Sequence, residues 1–207
     1  MRHESRTDAP PRPAAVETAD DATVIKWSRH EPERFAVLFT RHGPALKRYV
    51  IRRLGQDHAE DIVAETFAAA FEHRESYDLA RDDARPWLYG IATNLIGRHR
   101  RHEINLYRAL GRTGMDPVIE PFTDQVDRRV AADAARRRLA SALAGLSRAH
   151  RDTLLLVTWT DLTYEQAAQA LGVPVGTVRS RVNRARGRLR RALGGIDPTA
   201  INEGATR

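Results

Sequence analysis

The segment Thr163–Leu193 constrains this chain more than any other stretch of it. Thr163 followed by Gln166 is a capping-box pattern, in which two side chains satisfy free amides at a helix start. Ala167, Ala168 and Leu171 give that helix a small apolar face, and Gly172 stands where a helix end calls for positive φ. Pro174 suits the first turn of a second helix, where a missing N–H costs nothing. Val178, Val182, Ala185 and Leu189 recur at three- and four-residue spacing and predict one buried stripe. The other faces carry Arg179, Arg181, Arg184, Arg186, Arg188, Arg190 and Arg191. Two such helices make a helix-turn-helix whose second member suits the major groove of DNA. Thr177, Arg179, Ser180, Arg181, Asn183 and Arg184 are its candidate contacts to bases or phosphates, and Thr163 and Tyr164 suit backbone positioning.

Composition agrees with a polyanionic partner. The formal charge is +7 over 207 residues, a balance that favours nucleic acid. Among 34 Lys and Arg residues only Lys26 and Lys47 are lysines, and arginine's planar fork matches phosphates and guanine edges. The absence of cysteine excludes disulfides and thiolate metal sites. With no long apolar run and no signal-peptide core near Met1, a cytoplasmic protein without membrane insertion is expected. There is no Gly-rich phosphate loop with its Lys, no G-x-S-x-G and no His-Glu-x-x-His, so neither an active site nor a cofactor is expected. His99 and His102 lack a third metal ligand of sensible spacing and read as phosphate contacts or solvated side chains.

No period-two alternation runs to useful length, so the fold class is all-α: two small helical domains joined by a flexible linker. Residues 1–28 read as a disordered tail, with no periodicity as far as about Ala22. A first domain follows over residues 29–103. Its opening pattern, Phe35, Leu38, Phe39, Leu46, Tyr49, Val50 and Leu54, is interrupted by Gly43-Pro44. Asp57 and Glu60 look like a cap and its partner, opening a helix that runs to Phe71. Glu75 to Arg85 is a polar loop, and Pro86 opens a helix through Trp87, Leu88, Ile91, Leu95 and Ile96 to a basic end at Arg98–His102. Glycines and prolines weaken the pattern beyond it, so residues 104–129 read as the linker. The second domain spans 130–194, and 195–207 is a short tail.

Two further constellations accompany the helix-turn-helix. Asp61 and Glu65 share a helix face, which alone reads as a solvated patch. Trp87, Tyr89, Asn94 and the basic residues after them could stack and hydrogen-bond unpaired bases, although Trp87 at four-residue spacing from Ile91 suits the core equally. Their order along the chain, D-H-A-E-D-I-V-A-E-T-F, then W-L-Y-G-I-A-T-N, then V-G-T-V-R-S-R-V-N-R-A-R, resembles the extracytoplasmic-function sigma factors of bacterial RNA polymerase, the minimal branch of the sigma-70 family.

The resemblance implies roles residue by residue. Asp61 and Glu65 match the acidic positions of region 2.2, which docks on the β′ clamp of polymerase core. W-L-Y-G-I-A-T-N looks like region 2.3, which helps open the minus-ten element; Asn94 corresponds to the asparagine near the flipped base. The loop from Tyr77 to Arg85 corresponds to the base-specificity loop, while Arg98, Arg100 and Arg101, at the basic end of the helix, are this chain's own candidate contacts to minus-ten DNA. Arg179, Ser180, Asn183 and Arg184 fall on the DNA-facing positions of region 4.2, which reads the minus-thirty-five element. Implied partners are polymerase core, through the β′ clamp and β flap, promoter DNA and an anti-sigma factor. The chain departs from the family pattern at Arg98, where Asp is common, and at Leu146-Ser147, where Leu-Pro is usual. The competing reading is a stand-alone helix-turn-helix regulator that binds an operator as a dimer; a third is an antagonist that binds another protein.

Overall fold

The computed structural model describes residues 18–113 and 126–194. Among the described residues, five α-helices lie in the first half: α1 (Asp21–Ser28), α2 (Ala36–Leu54), α3 (Ala59–Glu72), α4 (Arg85–Arg98) and α5 (Arg100–Thr113). Four form the second: α6 (Val126–Ala144), α7 (Arg148–Trp159), α8 (Tyr164–Leu171) and α9 (Val175–Ala192). There is no strand among the described residues, as the sequence predicts. Leu38, Leu46, Val50 and Leu54 of α2 meet Ile62 of α3 and Leu88, Ala92 and Ile96 of α4 in the first core; Leu154 and Leu156 of α7 meet the α9 stripe in the second. Most buried apolar side chains of both halves belong to one contiguous cluster.

The structure corrects several expectations. Residues 21–28, assigned to a disordered tail, form α1: Asp20 caps it by accepting from the Thr23 amide at 2.7 Å, and Val24 and Ile25 are fully buried. Helix α2 runs unbroken through Gly43-Pro44. Pro44 removes a single helical bond, and both it and Thr40, whose carbonyl loses that bond, lie exposed where water substitutes. Asp57 and Glu60 do not cap α3, which starts at a 3₁₀ turn without a side-chain cap; Glu60 instead pairs with Lys47 at 2.8 Å. The helix expected to run from Pro86 to His102 stops at Arg98 and restarts at Arg100. Helix α5 then extends to Thr113, ten positions into the segment read as linker, because Tyr107 is buried beneath α2. The expected tails at 1–17 and 195–207 and the linker positions 114–125 lie outside the described residues.

The two halves pack directly on each other. Helix α4 lies against α8 so closely that a Cβ on Gly90 would stand 2.5 Å from the Ala170 carbonyl oxygen. Gly97, about two turns on and so on the same face, leaves room for the Arg148 guanidinium. Beneath this contact lies a buried ion cluster. Arg53 of α2 donates through Nε to Glu103 of α5, and through Nη2 to Asp152 of α7 at 2.5 Å. Arg151 reaches the same Glu103 at 3.1 Å and the Leu143 and Leu146 carbonyls at 3.2 and 3.1 Å. The break at His99 turns Glu103 inward to meet both arginines.

Candidate nucleic-acid interface

The helix-turn-helix forms as its sequence directs. Gln166 N donates to Thr163 Oγ1 at 3.1 Å and Thr163 N to Gln166 Oε1 at 2.9 Å, completing the capping box. Gly172 adopts φ +61°, a left-handed conformation that suits glycine. Pro174 stands just before α9, and its carbonyl accepts from the Thr177 and Val178 amides at 2.9 and 3.2 Å. Val178, Val182, Ala185 and Leu189 are all buried. On the opposite face Arg179, Ser180, Asn183 and Arg184 are exposed. Ser180 donates to the Thr177 carbonyl at 3.0 Å, and Arg179 lies 3.6 Å from Glu165 of α8. Thr163 is exposed and Tyr164 half-buried at the start of α8. The positive field of α9 reaches α7: burial, then Arg188, Arg184 and Arg181, hold the His150 imidazole below its ordinary range.

Around α4 the expected residues separate into three groups. Asn94 is exposed and lines a cleft of about 510 Å³ with Thr93, Arg148, Asp152, Gly172 and Arg181, so one residue from each proposed reading element faces the same space. Tyr77 is not presented to solvent. It is buried, its ring 4.8 Å from that of Trp87, and its hydroxyl donates to the Arg81 and Asp83 carbonyls at 2.7 and 3.2 Å. Tyr89 is also buried, edge-on to Tyr49 at 5.3 Å, so it is core and not a stacking platform. Arg100 and Arg101 are exposed but lie beyond the helix break, on α5 rather than with Asn94 on α4.

Asp61 and Glu65 are exposed on α3. Glu65 accepts from Arg98 Nη1 at 2.8 Å, the two side chains being 49% and 71% exposed, and a pair so solvated holds weakly. His58 brings a third imidazole to His99 and His102, with ring centroids 5.1 and 4.2 Å away, a neighbour invisible in the linear spacing. No group of three or more metal-ligating side chains among the described residues is arranged to hold an ion, and no helix among them is long and apolar enough to cross a membrane.

Comparison with known proteins identifies the class. Residues 38–103 match Sigma-70 region 2 and residues 136–189 match Sigma-70, region 4. The ECF RNA polymerase sigma factor SigL of Mycobacterium tuberculosis is 34% identical over 158 residues, covering 75% of this chain and 86% of that protein. The ECF RNA polymerase sigma factor SigE of Mycolicibacterium smegmatis is 31% identical over 185 residues, covering 84% of this chain; the chain spans only 63% of SigE. Among solved structures, CnrH in complex with the cytosolic domain of CnrY has the same fold, with a TM-score of 0.58 at 24% identity over 84% of this chain and 97% of that one. RpoE in complex with the anti-sigma factor NepR from Bartonella quintana aligns with a TM-score of 0.50 at 26% identity, covering 81% and 98%. The chain belongs to the extracytoplasmic-function sigma factors of the sigma-70 family.

Proposed function

We propose that this sigma factor joins polymerase core through Asp61 and Glu65 at the β′ clamp and through its second half at the β flap, and so directs initiation at promoters with two recognition elements. Helix α9 reads the minus-thirty-five element through Arg179, Ser180, Asn183 and Arg184, flanked by Thr177 and Arg181, while Thr163 and Tyr164 fix α8 to the phosphate backbone. Asn94 and the loop Tyr77–Arg85 act at the minus-ten element, and Arg98, Arg100 and Arg101 contact its phosphates. Tyr77, being buried, serves by shaping the loop from within. The chain works in the cytoplasm without an active site of its own; polymerase performs the chemistry. CnrH and RpoE were each solved with a partner protein, and an anti-sigma factor is the corresponding partner here.

The observation that carries this reading is the row Arg179, Ser180, Asn183 and Arg184 standing exposed on a helix whose opposite stripe is wholly buried. A stand-alone regulator would have no use for the region 2 half that accompanies it. Opening the duplex costs a few kcal/mol per unstacked base, roughly, and a pocket for the flipped base offsets part of that. Tethering makes the second DNA contact effectively intramolecular, so two weak grips add. In reconstituted holoenzyme, Asn94→Ala should slow open-complex formation while leaving minus-thirty-five binding nearly intact, and Arg184→Ala should cost about 1–3 kcal/mol of promoter affinity or lower the salt slope by about one. Permanganate footprinting and salt-dependent binding test the pair. Unchanged strand reactivity in the first variant, or unchanged affinity and slope in the second, would refute the respective role.

A further inference from the structure

Helix α1 lies beside the loop between α3 and α4, and two side chains at its ends hold that loop at both of its own ends. Arg29, which follows the last turn of α1, directs Nη2 onto the carbonyls where the chain leaves α3: Arg74 at 3.2 Å, Glu75 at 3.0 Å and Tyr77 at 3.2 Å. Asp21, the first residue of α1, acts where the loop enters α4. Its Oδ2 accepts from the Ala84 amide at 3.0 Å, and its own amide donates to the Asp82 carbonyl at 3.0 Å. Asp21 is only 6% exposed and is fixed to α2 by Arg41 Nη1 at 3.0 Å and His42 Nε2 at 2.8 Å. Between these anchors Asp78, Ala80, Arg81 and Asp82 face solvent. Charge-assisted bonds of this kind are directional, so they fix where the exposed tip stands in a way that apolar packing alone does not.

We propose that Asp21 and Arg29 are positioning residues for promoter recognition, setting from α1 the pose in which the loop Tyr77–Arg85 meets minus-ten bases. Helix α1 lies outside the segment 38–103 that matches region 2, so the matched segment does not by itself contain these anchors. The inference rests on assigning that loop to minus-ten reading. Neither side chain touches DNA in this role; each acts through backbone it holds.

The test uses holoenzyme reconstituted with the full chain carrying Asp21→Ala or Arg29→Ala, on promoters with single changes across each element. Discrimination among minus-ten bases should fall roughly tenfold, the order of one lost base contact. Discrimination at minus-thirty-five and affinity for polymerase core should stay the same. Arg29→Lys, which keeps a charged donor, should fold as the parent does and lose less than Arg29→Ala. Unchanged minus-ten discrimination, or a loss that runs in step with minus-thirty-five, overturns the proposal. Arg81→Ala and Asp82→Ala at the tip separate the two layers. If they alter minus-ten selectivity while the Asp21 and Arg29 variants do not, the positioning role alone fails. If the tip variants change nothing, the loop assignment fails and the positioning role with it.

Discussion

Arg53, Glu103, Arg151 and Asp152 put four charges where water scarcely reaches, with exposures of 0%, 2%, 0% and 6%. Burial pulls the Arg53 guanidinium down, but its electrostatic interactions with Tyr49 and the Glu103 carboxylate outweigh burial and hold it above its ordinary value. Such clusters are poor sources of net stability and sensitive to loss of one member. Glu103 is the shared acceptor of both arginines, so Glu103→Gln should cost about 3–5 kcal/mol. Denaturant unfolding measures this; a loss below about 1 kcal/mol, the scale of a solvated pair, would mean that the cluster opens to water. Nothing local announces this cluster. Arg53 is one arginine in a basic helix end, and Glu103 sits where the apolar pattern fades. Their partners stand 50 and 99 positions from Arg53, a separation that periodicity does not see.

Elements differ in how much of their cause is local. The α8–turn–α9 unit was legible from its own residues: cap, left-handed glycine, Pro174 and a four-residue stripe all act within a few positions. Its capping box makes a direct prediction. Thr163→Ala should destabilise the second half by about 1 kcal/mol, read as a lower thermal midpoint, and an unchanged midpoint would show that the box is incidental. Gln166 adds a cross-domain link, donating to Asp83 Oδ2 at 2.8 Å. Helices α1 and α5 were not legible. Helix α1 is only eight residues long and α5 sets its apolar residues among charges, and each is held where another element covers it: α1 through Val24 and Ile25, α5 through Tyr107. The continuity of α2 across Pro44 likewise depends on which face meets water. Tyr77 had the type and place of a base contact, yet the loop folds around it.

At the scale of the molecule, Asn94 and Arg181 line one cleft, whereas elements centred near minus-ten and minus-thirty-five are about 25 base pairs apart, roughly 85 Å at 3.4 Å per pair. On the proposed assignment of Asn94 and Arg181 to these two elements, the packed arrangement engages one at most, and the halves are expected to part on the way to the promoter. The contact between the halves is tightest at Gly90, where a Cβ would meet backbone. Gly90→Ala should weaken the interface by about 1–3 kcal/mol through overpacking, seen in small-angle scattering as a larger radius of gyration. At Gly97 the obstructing group is the end of the Arg148 side chain, which can swing aside, so Gly97→Ala should leave the radius unchanged. Equal radii for both variants would contradict this description of the interface.

The most direct measurement is promoter-specific run-off transcription with polymerase core and the purified chain. The expected result is a transcript from one defined start, present only with the chain and lost when either promoter element is scrambled. Initiation by core that is the same with and without the chain would contradict a role in promoter selection.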